Sequence, residues 1–133
     1  MSSQSLVCLD VGEKRIGVAI ADTSVRIAIA FDTILVDGNE LTAIATIVVR
    51  EGADTIVVGY PRNQSGETTA QTEYVERFAE QLTDMAKHIV FQDESLTSVM
   101  AENRLIDMKK PYTKGDIDAQ AAAIILQDYL ESN

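Results

Sequence analysis

The sequence predicts an α/β domain: a mixed five-stranded sheet with helices on both faces. Three observations lead there. Between residues 5 and 36, three short apolar segments are joined by tight turns, as in an antiparallel meander. From Glu40 the apolar period changes, with Leu41, Ile44, Ala45 and Val48 at i, i+3, i+4 and i+7, one face of a helix. Asp54-Thr55-Ile56-Val57-Val58-Gly59 is then a continuous apolar run between turn residues, the pattern of a strand buried on both sides in a parallel sheet.

In order, the first strand covers about residues 5–10 and the second about 15–21. A third, about 28–36, follows the turn at Asp22 to Arg26, and Asp37-Gly38-Asn39 breaks it. The first helix starts at Glu40 and stops at Gly52. The strand at 54–59 leads into the loop Tyr60 to Gly66. A helix over about 67–87 follows, with Val75, Phe78, Ala79 and Leu82 on one face. Ile89-Val90-Phe91 is a short fifth strand, left through Gln92 to Ser95. Residues 96–108 read as a helix, 108–114 as a polar loop, and a last helix runs from near Asp116 to about Leu130. Strands separated by single helices imply right-handed crossovers. In such a sheet the loops at the carboxyl ends of the parallel strands line the site. Asp10, the 59–66 loop and Asp93-Glu94 occupy those ends.

At 133 residues and 46% hydrophobic, residues 1–133 form one domain with enough chain for a core. No apolar run is long enough to span a membrane, and the opening Met1-Ser2-Ser3-Gln4-Ser5 has no basic region of a signal peptide. The single cysteine, Cys8, has no partner for an internal disulfide and reads as a small core residue. These features fit a reduced cytoplasmic compartment. The net charge of -10 opposes simple electrostatic binding of nucleic acid. Its distribution softens that objection. Lys14, Arg15, Arg62, Lys109, Lys110 and Lys114 lie in turns or loops beside candidate site residues, while Glu73, Glu76, Glu80 and Asp84 fall on presumed helix faces.

Three carboxylates stand out. Asp10 ends the first strand in Leu9-Asp10-Val11-Gly12, where packing explains it poorly, because strand interiors disfavour Asp. Gly12 suits a turn position with φ > 0, and Gly17 allows close approach of backbone or substrate. The competing account of Asp10 is a turn residue bonded locally to Gly12. Glu94 follows the fifth strand as Asp10 follows the first; alone, it reads as an acid favouring the next helix N-terminus. In the last helix Asp118 shares a face with Ala121, Ala122, Ile125 and Tyr129. Asp116 lies about 200° around from it and suits a Thr113-x-x-Asp116 cap. An acid aimed at the core is costly unless paired or bound to metal. Three carboxylates meeting at one sheet edge repel, and one or two hard cations, Mg²⁺ or Mn²⁺, resolve this. Two such ions about 3.5–4 Å apart activate a water and stabilise the leaving oxygen of a phosphodiester.

Four blocks carry a resemblance: Leu9-Asp10-Val11-Gly12-x-Lys14-Arg15-Ile16-Gly17-Val18-Ala19, Val58-Gly59-Tyr60-Pro61-x-Asn63-x-x-Gly66, Asp93-Glu94-x-Leu96-Thr97-Ser98, and Ile117-Asp118-x-x-Ala121-Ala122-x-x-Ile125-Leu126-Gln127. In that order and spacing, over essentially the whole chain, they resemble the YqgF/RuvX family of pre-16S rRNA nucleases, also described as Holliday-junction-resolvase-like. Each block alone is weak; the ordered set is specific. The resemblance implies a ribonuclease H-like fold and a divalent-metal nuclease site. It implies maturation of the 5′ end of the small-subunit rRNA precursor in the cytoplasm, with pre-rRNA, and ribosomal particles, as partners. Branched DNA ranks second as substrate. The family's acidic triad falls on Asp10, Glu94 and Asp118. One departure is Ser95, where the family usually has arginine, which bears on substrate affinity. Another is Tyr60, where an aliphatic residue is commoner.

In that reading Asp10 is the bridging metal ligand, completed by Glu94 and Asp118. Lys14, Arg15 and Arg62 hold the nucleic-acid backbone, and Asn63 bonds substrate or braces its loop. Lys109, Lys110 and Lys114 form a basic loop, either a substrate-capturing segment or a solvated connector. His88 has no role, and 5% aromatics argue against an extensive stacking platform. Two rivals remain. The Asp-x-Gly turn is similar to the first phosphate motif of actin-like ATPases, but those enclose nucleotide between two such domains. A non-catalytic ribosome-assembly or RNA-binding module would retain the fold without cleavage. A junction resolvase would be a symmetric dimer; the sequence allows a monomer or a homodimer.

Overall fold

The computed structural model describes residues 4–62, 65–94 and 97–132. The elements in chain order are β1 (Ser5–Val11), β2 (Arg15–Asp22), β3 (Ile29–Leu35), α1 (Glu40–Glu51), β4 (Ala53–Pro61), α2 (Ala70–Glu80), β5 (His88–Glu94), α3 (Thr97–Asp107) and α4 (Lys114–Ser132). The strands make one five-stranded sheet in the order β3-β2-β1-β4-β5. β2 pairs antiparallel with β1 and β3, while β4 pairs parallel with β1 and β5. The expected mixed sheet is therefore the one that forms, with β1 at its centre.

The period of two along each strand divides the core. Val7, Leu9 and Val11 of β1 point to one face, with Ile16, Val18, Ile56 and Val58 from the neighbouring strands. Ile44, Ile47 and Val48 of α1 and Val75 and Phe78 of α2 cover them. Leu6 and Cys8 point to the other face with Ala19, Ala21 and Val57, beneath Ala122, Ala123, Ile125, Leu126 and Leu130 of α4. The alanines of α4 let it lie close to the strands. α3 packs on the outside of α4 through Ala101, Ala121 and Ile124. By the same alternation Asp10, next after Leu9, belongs to the α4 face.

Some boundaries differ from expectation, each for a local reason. α2 is shorter than the predicted 67–87 helix. Thr69 and Thr72 bond each other's backbone N–H as a capping box, which starts the helix at Ala70. At the other end, Gln81, Leu82 and Met85 donate to the carbonyls of Phe78, Ala79 and Leu82, bonds to i−3 that tighten the chain out of α geometry. Asp84 thus lies beyond the helix. α4 starts at Lys114 because Thr113 and Asp116 cap it reciprocally, at 2.8 and 3.2 Å. Asp116 is a structural acid, as its spacing predicted. Gly12 does not have the positive φ expected of it; Gly38, Gly52 and Gly66 do. Gly12 is required by proximity instead, since a Cβ there would stand 2.7 Å from the Arg15 carbonyl oxygen across the β1–β2 turn.

Candidate active site

Asp10 pairs across the sheet with Gly17 of β2. On its other side runs β4, where Gly59 follows Val58, the partner of Leu9. The central carboxylate is thus flanked by two glycines, and each admits a different group. At Gly17 the backbone of α4 crosses the sheet so closely that a Cβ would overlap the Asp118 carbonyl oxygen. At Gly59 the space a side chain would fill holds the Glu94 carboxylate, whose Oε2 lies 2.7 Å from the position of that absent Cβ. Glu94 ends β5, the strand beyond β4. It reaches Asp10 only because the intervening residue has no side chain.

The two carboxyl groups are near enough to shift each other's protonation. Burial pushes Glu94 up to about 8, helped by the Asp10 charge and by the hydrogen bond between the two acids. Burial raises Asp10 to about 6, opposed by the hydrogen bond from Glu94 and reinforced by the charge of Asp118. At neutral pH the pair therefore retains a proton. Cys8, one alternation deeper, is fully buried, and desolvation with both charges lifts its thiol far from ionisation. It is the core residue its position suggested.

Asp118 does not join the pair. Arg15 Nε donates to Asp118 Oδ2 at 2.6 Å, with both side chains partly exposed. This is how the fold resolves an acid directed at the sheet: α4 delivers it, and a cation at the start of β2 takes it. Among the described residues no three acidic, histidine or cysteine side chains are drawn together closely enough to hold a metal ion. The expected convergence of three carboxylates is therefore a contact of two, with the third side chain held off by Arg15.

The donor chemistry nonetheless fits a hard cation. Among the described residues no N–H donates to the buried Glu94 Oε2. A buried carboxylate oxygen left so is costly unless something binds it. The groups around it are carboxylate oxygens, the ligand type of Mg²⁺ or Mn²⁺.

The predicted substrate residues separate. Lys14 is exposed and Arg15 half-buried, both at an open recess of about 420 Å³ lined also by Gly12, Glu13, Gln71 and Asp118. Gln71, absent from the sequence reading, comes from the first turn of α2 and donates to the Val11 carbonyl at 3.2 Å. Nothing but the fold brings it there. Arg62 lies elsewhere. It stacks 5.0 Å over the Tyr60 ring and pairs with Asp93 at 3.5 Å. Tyr60 and Asp93 alternate with Gly59 and Glu94, so this cluster sits on the sheet face opposite the carboxylates. Tyr60 also meets Phe91, centroids 5.0 Å apart. Asn63 and Ser95 lie outside the described residues. In the basic loop Lys109 and Lys110 are exposed, and the Tyr112 hydroxyl anchors the segment to Glu102 of α3 at 2.8 Å. His88 is exposed at the start of β5. No described helix is long and apolar enough to cross a membrane.

Known proteins are similar to this chain over nearly its whole length. A profile of the RuvX family, described as Holliday junction resolvase, matches residues 4–132. A Chloroflexus aurantiacus protein named "Putative pre-16S rRNA nuclease" is 42% identical over 137 residues, covering 99% of this chain and 90% of its own. A protein of the same name from Caldanaerobacter subterraneus is 43% identical over 130 residues, covering 93% and 94%. Among solved structures, the fold is similar to Thermus thermophilus RuvC in complex with a Holliday junction substrate, with TM-score 0.59 at 9% identity over 97% of this chain and 95% of that one. It is also similar to Fowlpox virus resolvase in complex with a Holliday junction, with TM-score 0.63 at 14% identity over 97% and 98%. The expected resolvase-type, ribonuclease H-like fold is thereby established. With a profile match over residues 4–132 and relatives at 42–43% identity over nearly the full length, this chain belongs to the RuvX family.

Proposed function

We propose that the chain is a nuclease that hydrolyses phosphodiester bonds in the 5′-end maturation of pre-16S rRNA, acting as a single domain in the cytoplasm with Mg²⁺ or Mn²⁺. The observation that carries this reading is the buried Glu94 carboxylate beside Asp10, with no N–H donor on its Oε2 among the described residues. The family membership and the names of the relatives support it.

Asp10, Glu94 and, once released from Arg15, Asp118 would hold the ion. When bound, it supplies Lewis-acid polarisation of the phosphate and a lowered pKa for attacking water. The chain's own residues set the stage. Asp10 is fixed in the central strand, and Glu94 is fixed against it by Gly59. Burial makes the ionised pair costly without a counter-ion, so a cation that displaces its proton is strongly favoured. Lys14 and Arg15 line the recess beside them and hold the strand by its phosphates. Arg62, on the far face, would contact a segment of substrate that wraps the sheet edge. Asn63 remains a candidate contact in the same loop. Ribosomal particles are the expected setting for such a substrate.

The test is cleavage of an end-labelled RNA carrying the precursor 5′ leader, with Mn²⁺, Mg²⁺ or chelator, for wild type and Asp10→Asn. Metal-dependent cutting by wild type, lost roughly 10³-fold or more in the variant, is the expected result. A folded wild type that cuts under no condition refutes the reading. The family's description favours one second reading, a resolvase of branched DNA. A homodimer that cleaves a four-way junction in preference to the leader RNA would establish it instead.

A further inference from the structure

Arg15 and Asp118 are both held by backbone that cannot easily move. Arg15 opens β2, with its carbonyl accepting from Gly12 N–H at 3.0 Å. Asp118 is pinned where α4 presses on Gly17. The Arg15 side chain itself is long, partly exposed and faces the open recess that Lys14 and Gln71 also line. Asp118 Oδ2 accepts from Arg15 Nε at 2.6 Å, so that oxygen is already committed. The same carboxylate is near enough to Asp10 for its charge to be felt there.

We propose that Arg15 is a resident counter-cation: it holds Asp118 apart from Asp10 and Glu94 until a divalent ion takes its place, and its freed guanidinium then binds a phosphate of the nucleic acid. The inference rests on the metal-nuclease reading above and adds an order of events to it. Arg15 and a divalent ion compete for the one negative charge of Asp118, and two cations brought to the same carboxylate repel each other. An ion that takes Asp118 releases a planar cation suited to phosphate. Conversely, a phosphate that draws Arg15 away exposes Asp118. The two binding events therefore help each other, by the same factor in each direction. Arg15 is in this sense a positioning residue for the third ligand as well as a substrate contact.

The experiment is Mn²⁺ titration, read by the loss of the free-ion electron paramagnetic resonance signal, on wild type, Arg15→Ala, Arg15→Gln, Lys14→Ala and Asp10→Asn, each shown folded by circular dichroism. Without nucleic acid, both Arg15 variants should bind Mn²⁺ about ten-fold tighter than wild type. Lys14→Ala, which removes the neighbouring charge without freeing Asp118, should change affinity much less. Adding a 2′-O-methyl RNA strand that cannot be cut should tighten Mn²⁺ binding to wild type and leave the Arg15 variants unaffected. Equal or weaker Mn²⁺ binding by both Arg15 variants overturns the inference, as does an equal gain from Lys14→Ala. If wild type binds no Mn²⁺, or Asp10→Asn binds it as well as wild type does, the metal site itself is wrong and both readings fall.

Discussion

Glu94 occupies the side-chain space of Gly59: a Cβ on Gly59 would stand 2.7 Å from Glu94 Oε2 and 2.9 Å from Ile125 Cδ1. The nearer obstruction is the end of the Glu94 side chain, which can rotate away, while the buried Ile125 Cδ1 needs to give by only a few tenths of an ångström. Gly59→Ala should therefore cost stability only modestly, about 1 kcal/mol, while driving Glu94 off Asp10. Nuclease activity should fall far more than the melting temperature suggests, by roughly ten-fold or more. An active Gly59→Ala enzyme with unchanged metal affinity would show that Glu94 does not need this position.

Gly17→Ala is the opposite case. The new methyl meets the Asp118 carbonyl and the Ala119 backbone nitrogen, which belong to α4 and cannot rotate aside. The helix must lift from the sheet along a face that includes fully buried Ala122, Ile125 and Leu126. The expected loss is about 3 kcal/mol or more, measured by urea unfolding. A near-neutral result would mean that α4 does not sit this close to β2.

The acid pair predicts a pH dependence whose sign follows from its raised pKa values. Burial takes Glu94 from 4.5 to about 8 and Asp10 from 3.8 to about 6. Between the ordinary carboxylate range and pH 8, the folded protein holds protons that the unfolded chain has released. Stability therefore falls as pH rises through that window. Metal-free protein should melt roughly 5–10 °C lower at pH 8.5 than at pH 6. Glu94→Gln, neutral at both pH values, should flatten that slope. Mn²⁺ at pH 8.5 should restore most of the lost stability to wild type. A slope that Glu94→Gln leaves unchanged would assign the effect to other groups.

Lys14 and Arg62 should differ as nucleic-acid contacts. Lys14 is exposed at the recess beside the carboxylates, whereas Arg62 is tied to Asp93 and Tyr60 on the other face. Removing Lys14 should weaken RNA binding and reduce the slope of affinity against salt by about one. Removing Arg62 should have the smaller effect on that slope. Its exposed ion pair and ring contact should cost stability about 1 kcal/mol or less. Fluorescence anisotropy across a salt series measures both slopes.

What the sequence by itself determined is what local chemistry can determine. Alternation and the change of period identified the five strands and the α1, α2, α3 and α4 segments, because burial of one face needs little knowledge of the partner. The Thr113–Asp116 cap was readable from spacing, which also separated Asp116 from Asp118 on the helix. Gly17 was recognisable as a point of close approach. The tertiary structure alone decided what each of these groups meets. Asp10 and Glu94 are 84 positions apart in the chain, and their contact depends on strand order β1-β4-β5 and on an empty position at Gly59 between them. Arg15 and Asp118 are separated by 103 positions, and their ion pair follows from α4 crossing β2. Arg62 read as a nucleic-acid contact because its loop leaves β4 beside the candidate site, yet strand alternation carried Tyr60 and its stacked guanidinium to the other face. Local pattern fixes which side of an element a residue occupies relative to its neighbours. Only the packing of one element on another fixes which charges share a volume, and Coulomb energy depends on that distance rather than on separation along the chain.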